Sequence, residues 1–231
     1  MPPRILDPRQ VPVMGTDAHL PAVPPERLSE LALRRHFAQT GLWLPEFPGD
    51  SGAPGMTRAP AAAAVLLALV QRPGGLHVLL TRRTDHLRDH PGQISFPGGR
   101  SDPADASPVA TALREAEEEV GLQRACVQVI GQLPVYTTVT NFVVTPVLAI
   151  VQPPLEWVLD SFEVAEAFEV PLQYLMTPAH HQRHVFSFED GQRQFLSMPW
   201  QGLAADGRTR DYFIWGATAA MLRNLYGFLA R

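Results

Sequence analysis

The spacing of apolar residues changes several times along this chain, and each change marks an element. From Ala61 to Val70 the run AAAAVLLALV is unbroken, and LHVLLT (76–81) follows after Arg72-Pro73-Gly74-Gly75. Two short apolar runs split by a Pro-Gly signal predict two buried strands joined by a turn. Val127–Leu133 and Asn141–Val151 read as further strands. Val185–Glu189 and Gln192–Ser197 flank Asp190-Gly191, which predicts a hairpin. Helical spacing appears over Pro25–Gln39, where Leu28, Leu31, Leu33 and Phe37 fall near one face, over Pro108–Val120, and at the end of the chain, about Gly216–Ala230. A short helix is expected within Phe162–Met176. Residues 1–25 are rich in proline without periodicity and predict an extended arm, and Pro45–Pro60 reads as a linker or loop. No internal repeat is present. The irregular interleaving of strands and helices predicts an α/β fold, a mixed sheet with helices on its faces. The expected division is an arm with one helix over 1–57 and a main domain over 58–231.

The segment that carries chemistry is the helix after Ser107. Ser107 suits an N-cap, Pro108 the first helical position and Gly121 the residue past the end. Val109, Leu113, Ala116 and Val120 form a narrow apolar stripe, the face expected to be buried. Glu115, Glu118 and Glu119 stand at i, i+3 and i+4 and converge on another face, whereas Glu117 points to the opposite flank. Three such carboxylates repel one another, and they lie near the helix C-terminus, where the macrodipole disfavours negative charge. A hard cation offsets both costs, and Mg²⁺ or Mn²⁺ prefers oxygen ligands. The plain alternative is a solvated acidic face. Arg114, beside the cluster, either clamps a carboxylate or makes a surface ion pair. Upstream, Phe96-Pro97-Gly98-Gly99 leads into a loop with Asp102 and Asp105, and the paired glycines permit a close backbone approach.

Composition narrows the classes. Of 231 residues, 45% are hydrophobic and 18% charged, with a formal net charge of -4, and there is no basic tract of the kind that marks a nucleic-acid binder. The one cysteine, Cys126, excludes an internal disulfide, suits a reducing cytosol and is expected to be packed. The N-terminus lacks the apolar core of a signal peptide, and Ala61–Val70 is well short of the roughly 20 residues that span a bilayer. A cytoplasmic protein without membrane or nucleic-acid partners is the expectation. His180, His181 and His184 suggest a metal cluster, but no acidic or cysteine partner stands at zinc-like spacing.

Gly99, Arg114-Glu115, Glu118-Glu119, Gly121 and Leu122 together resemble the signature box of the Nudix hydrolases, in which a glycine precedes a glutamate and then REUxEExGU, with U a bulky aliphatic. Ala116 departs mildly from that box. The interval from Gly99 to Arg114 is one residue longer than usual, so the box's first glutamate falls on Asp105 counted forward or Ala106 counted back. A second stretch, LLTRRTDHLRDHPGQISFPGG over Leu79–Gly99, is similar to the motif found just before the box in coenzyme A pyrophosphatases of the superfamily, as is the longer loop Gly98–Ser107.

This resemblance implies an α/β/α sandwich with a mixed sheet. It also implies Mg²⁺ or Mn²⁺ held by Glu115, Glu118 and Glu119, and hydrolysis of coenzyme A or its derivatives to 3′,5′-ADP and 4′-phosphopantetheine. Glu118, Glu119, Glu115 and Arg114 are then the expected catalytic set. The general base is a box glutamate or a carboxylate on a distant loop, with Glu163 and Glu166 as candidates. Arg83 and Arg88 would pair with phosphates, His90 either donates a hydrogen bond nearby or is a structural loop histidine, and Gly98 and Gly99 would line the substrate. Tyr212, Phe213 and Trp215 either stack on adenine or belong to the core. The rivals are hydrolysis of another nucleoside diphosphate derivative, such as ADP-ribose or a dinucleotide polyphosphate, and a module that senses a nucleotide without cutting it. Retention of all three glutamates weighs against the latter. The family and the spare arm are compatible with a homodimer.

Overall fold

A computed structural model describes residues 5, 7–41, 43–50, 59–87, 90–189, 191–204 and 206–231. In chain order the strands and helices are β1 (Val13–Thr16), α1 (Glu30–Gln39), β2 (Ala61–Arg72), β3 (Gly75–Arg83), β4 (Ile94–Ser95), β5 (Gly98–Arg100), α2 (Pro108–Val120), β6 (Val127–Gln132), β7 (Tyr136–Thr137), β8 (Phe142–Val151), β9 (Val164–Pro171), α3 (Leu172–Leu175), β10 (Gln182–Phe188), β11 (Gly191–Leu203), β12 (Thr209–Trp215) and α4 (Gly216–Leu229).

The main sheet is mixed, with the order β4-β3-β2-β8-β6; β5 adds to β2, β7 to β8 and β9 to β3. At its centre β2 and β8 run parallel in register from Ala61/Phe142 to Val70/Val151. Both faces of this pair are covered, so the run from Leu66 to Val70 is apolar throughout. The even positions Ala64, Leu66, Ala68 and Val70 pack with Val147 and Ala149 against Ala112, Ala116 and Val120 of α2. Odd positions such as Leu67 and Leu69 join a larger core with Leu148, Ile150, Leu33 of α1, Leu175 of α3 and Leu222 and Leu225 of α4. This mixed α/β fold has α2 on one face of the sheet and the other helices on the opposite face. Among the described residues no helix is long and apolar enough to cross a membrane.

Three regions differ from the pattern-based reading, the arm, the linker and Phe162–Met176, while the expected hairpin forms. The end of the arm is not merely extended: β1 pairs antiparallel with β10 and completes a second sheet of order β1-β10-β11-β12. The expected hairpin is part of that sheet; its turn residue Asp190 lies outside the described residues, as do Arg88 and 51–58 of the expected linker. The described part of that linker is docked, since the Phe47 N–H donates to Asn224 (3.0 Å) and Asp50 accepts from the Tyr136 hydroxyl (2.6 Å). Phe162–Met176 does contain the short helix α3, but most of it is strand β9.

Candidate active site

Helix α2 begins where Ser107 accepts a hydrogen bond from the Ala110 N–H (3.2 Å) and ends at Gly121, whose φ of 69° suits glycine. Its buried face fixes its rotation against β2 and β8. Glu115 and Glu119 therefore point toward β5, Glu118 lies at the rim and Glu117 is exposed, paired with Arg124 (3.2 Å). The glycines of β5 allow this proximity. A Cβ at Gly99 would lie 2.6 Å from the Glu115 carboxyl, and one at Gly98 would collide with the Ala64 carbonyl. Gly98 also donates its N–H to Glu119 (3.2 Å).

Arg114 lies beneath this carboxylate group. It reaches both oxygens of Asp105 (3.1 and 3.0 Å), the Arg100 carbonyl (3.1 Å), Glu115 (2.9 Å) and Glu118 (2.9 Å). Asp105 additionally accepts from the Thr111 hydroxyl (2.9 Å) and the Asp102 N–H (2.9 Å). Asp105 thus spends its charge on holding Arg114, and its hydrogen bonds with Arg114 keep it well below the usual carboxylate range. The sequence pattern left this residue without a role; its proximity in the chain to Arg114 was the available signal.

Glu119 is 6% exposed, whereas the Glu118 side chain is 59% exposed. Burial pushes Glu119 up to about 8, helped by the charges of Glu115 and Glu163 and opposed by Gly98 and Arg83. Glu115 is also raised, chiefly by burial, with Glu118 and Glu163 adding and Arg114 opposing. The charge of Glu163 is the smallest contribution to both shifts.

A returning segment carries Glu163. Val158 and Asp160 donate their N–H groups to the last carbonyls of α2, Val120 (3.1 Å) and Glu119 (3.0 Å). Asp160 then closes a turn onto the Phe162 and Glu163 N–H groups, and the Thr84 N–H donates to the Glu163 carbonyl (3.0 Å). Glu166 has a different environment. It is buried on β9, accepts from Arg210 (2.8 Å) and the Tyr212 hydroxyl (2.8 Å), and lies 3.7 Å from Arg82. Neither residue is helical, and Glu166 is occupied by a structural clamp.

Among the described residues, no three His, Cys, Asp or Glu side chains stand close enough together to form a ready-made metal centre. Glu118 is turned toward Arg114 (2.9 Å). The donor set nevertheless fits a hard divalent ion: it consists of oxygen ligands only, and two of its three carboxylates share one guanidinium, which also binds Asp105. Burial is the chief reason that Glu119 is raised, and the hydrogen bond from the Gly98 N–H opposes it. The three histidines do not form a second centre. His180, His181 and His184 each bond a backbone carbonyl, of Tyr174, Leu175 and Val11 respectively (2.9, 2.8 and 2.9 Å). Cys126 is packed at the edge of the α2 core, as expected.

A cleft of about 1130 Å³ adjoins the carboxylates through Gly98 and Arg83. His90, at a φ of 56°, lies on its wall and accepts the Gln93 N–H at its carbonyl (3.2 Å). The Arg83 guanidinium makes no hydrogen bond or ion pair with a described residue, whereas Arg82, Arg193 and Arg210 on the same walls face carboxylates. Tyr212 is core, stacked on Phe168 at 3.8 Å, while Phe213 and Trp215 are partly exposed on the cleft.

Comparison with known proteins supplies the family. The NUDIX domain profile matches residues 57–200. The chain is 45% identical over 165 residues to an uncharacterized Nudix hydrolase, NudL, of Escherichia coli K12, covering 71% of this chain and 80% of that protein. A NudL from Salmonella paratyphi B is 46% identical over the same length. Among solved structures, a Nudix hydrolase from M. smegmatis, RenU, aligns with 50% of this chain and 73% of its own at 26% identity and a TM-score of 0.42. A C. elegans Ap4A hydrolase complex aligns with 51% and 85% at 20% identity and a TM-score of 0.43. Nudix hydrolases in general use divalent ions such as Mg²⁺ or Mn²⁺. With the acidic helix, its glycine strand and the matching profile in agreement, this chain belongs to the Nudix family and is a pyrophosphatase of that family.

Proposed function

We propose that this Nudix hydrolase cuts the diphosphate linkage of coenzyme A or its derivatives, releasing 3′,5′-ADP and 4′-phosphopantetheine. The observation that carries the reading is the adjacency of the α2 carboxylates to a cleft whose nearest guanidinium, on Arg83, has no ion pair with a described residue. A diphosphate needs cations at its oxygens and a fork-shaped donor beside them. The joined motifs over Leu79–Leu122 support coenzyme A over other diphosphates.

In this reading Glu115, Glu118 and Glu119 hold Mg²⁺ or Mn²⁺, which when bound would neutralise diphosphate charge and activate water for attack on phosphorus. Arg83 pairs with a phosphate oxygen, Arg88 and His90 contact the same ligand, and Gly98 and Gly99 keep the floor free of side chains. Arg114 orients Glu115 and Glu118. Glu163 takes a proton from the attacking water. A new P–O bond forms to that water oxygen as the bridging P–O bond breaks, and the bridging oxygen leaves with one of the two phosphate products.

The test is hydrolysis of coenzyme A, ADP-ribose and diadenosine polyphosphates with Mg²⁺ or Mn²⁺, in the wild type, Glu118→Gln and Glu163→Gln. Preference for coenzyme A is expected, with kcat reduced about 10³-fold in Glu118→Gln and about 10²–10⁴-fold in Glu163→Gln. Preference for another compound moves the substrate assignment, and no turnover with either metal leaves a nucleotide sensor. A Glu163→Gln enzyme of normal kcat would return the base to α2.

A further inference from the structure

Coenzyme A carries a second anion, the phosphomonoester on its ribose, one sugar ring away from the diphosphate. Once the α2 cluster and Arg83 are assigned to the diphosphate, the cleft should hold another cation for it. Among the described residues, five arginines line the cleft: Arg9, Arg82, Arg83, Arg193 and Arg210. Three are matched by carboxylates. Arg82 faces Asp85 (3.5 Å) and Glu166 (3.7 Å), Arg193 faces Asp50 (3.8 Å), and Arg210 is held by Glu166 (2.8 Å) and Asp206 (2.7 Å). Besides Arg83, the guanidinium without an ion pair to a described residue is that of Arg9. It lies over the ring of Phe213, 5.8 Å from the centroid.

Arg9 belongs to the N-terminal arm, and the arm is fastened in place. Ile5 and Val11 are buried with Phe195 against Phe186 and Trp215. The buried His184 bonds the Val11 carbonyl through Nδ1 (2.9 Å), and β1 continues the second sheet. Asp7 accepts the Arg9 N–H (3.0 Å) and the Gln10 side-chain amide (3.0 Å), which shapes the turn that presents Arg9. Asp7 and Asp211 also line the cleft, and Asp211 accepts from the Gln201 amide (3.0 Å). The half-exposed rings of Phe213 and Trp215 lie on the same wall and offer an apolar surface to a purine.

We infer that Arg9 binds the ribose phosphomonoester of the substrate, with the base against Phe213, so that the arm sets the preference for a 3′-phosphorylated adenine nucleotide. This rests on the coenzyme A reading above. Its test separates the two. Calorimetry of adenosine 3′,5′-diphosphate and of AMP with the full-length wild type should show tighter binding of the 3′,5′-diphosphate. Arg9→Ala should weaken that ligand about tenfold or more and change AMP less than about twofold, and Arg9→Lys should recover part of the loss. In turnover, Arg9→Ala should raise KM for coenzyme A and leave kcat, and both constants for dephospho-coenzyme A, near wild type. Equal weakening of both nucleotides, or no weakening of either, overturns the inference. Because Arg9 is exposed, an unchanged melting temperature is expected, and Arg9→Gln repeats the test if Ala loosens the arm. A wild type that discriminates the two nucleotides through Arg9 but does not cut coenzyme A sinks the parent reading and leaves the phosphate site standing. A wild type that cuts coenzyme A and is indifferent to Arg9→Ala does the reverse.

Discussion

Two groups of charged side chains in this molecule are buried to a similar degree and balanced very differently. Between the arm, β10 and α4, Asp17 and Glu46 face Arg183 and Arg223, two anions against two cations at 2.6–3.0 Å. His181 accepts from Arg223 (3.1 Å) and its other ring nitrogen donates to the Leu175 carbonyl, so it sits there neutral. On α2, Glu115, Glu118 and Asp105 share one guanidinium, while Glu119 has only a backbone N–H. The first group is complete within the chain and fastens the second sheet to the core. The second is short of positive charge, a deficit that agrees with the cation site proposed above.

Removing a cation from the complete group should have the largest effect. Arg223→Met leaves Asp17 and Glu46 with Arg183 alone and is expected to cost about 3 kcal/mol of unfolding free energy, read by urea denaturation, with kcat per folded molecule unchanged. A loss below about 1 kcal/mol would mean the group is not what fastens the sheet. In the deficient group, Asp105→Asn frees Arg114 to swing onto the glutamates. Mn²⁺ affinity should fall about ten- to a hundredfold in a direct titration, while the melting temperature of the metal-free protein hardly moves.

The smallest expected effect is a difference in pH response, and its sign opposes the two groups. Glu119 is raised from 4.5 to about 8 in the folded chain, so the native state keeps a proton that the unfolded state releases, and metal-free stability falls as pH rises through that window. His181 is lowered from 6.5 to about 4 by burial and Arg223, so its contribution is present above 6.5 and is lost as pH falls toward 4. Melting curves in chelator should show Glu119→Gln gaining on wild type as pH rises from 5 to about 8, and Mn²⁺ should raise the wild-type melting temperature more at the alkaline end. A gap between the two proteins that does not vary with pH would remove Glu119 as the titrating group.

What could be read from the sequence follows the same division. The central strands were legible because both their faces are buried, which leaves an unmistakable apolar run. Helix α2 was legible because its stripe and its glutamates obey one periodicity. Strand β9 was hidden by Glu166: its buried positions are Val164, Glu166, Phe168 and Val170, and a carboxylate inside an apolar alternation conceals a strand unless Arg210 and Tyr212 are known to be opposite. Strand β1 is exposed at every position, so burial imprints no pattern on it. Glu163 was a candidate without a location, because its approach to α2 depends on β3–β9 pairing and on the Val158 and Asp160 bonds. Arg9 gave no sequence signal; its place in the cleft arises from a contact between the arm and β12.

The parallel pairing of β2 with β8 has a kinetic consequence. These strands meet at Ala61/Phe142, so their contact closes a long loop, and α2 lies inside that loop. Forming it demands an ordering cost before any return, which places the pairing among the slow steps of folding. The acidic helix and the neighbouring Gly98 and Gly99 lie within that loop and can associate locally, whereas Glu163 comes from the chain beyond β8. Divalent ions then favour the finished protein by mass action without guiding the search that produces it.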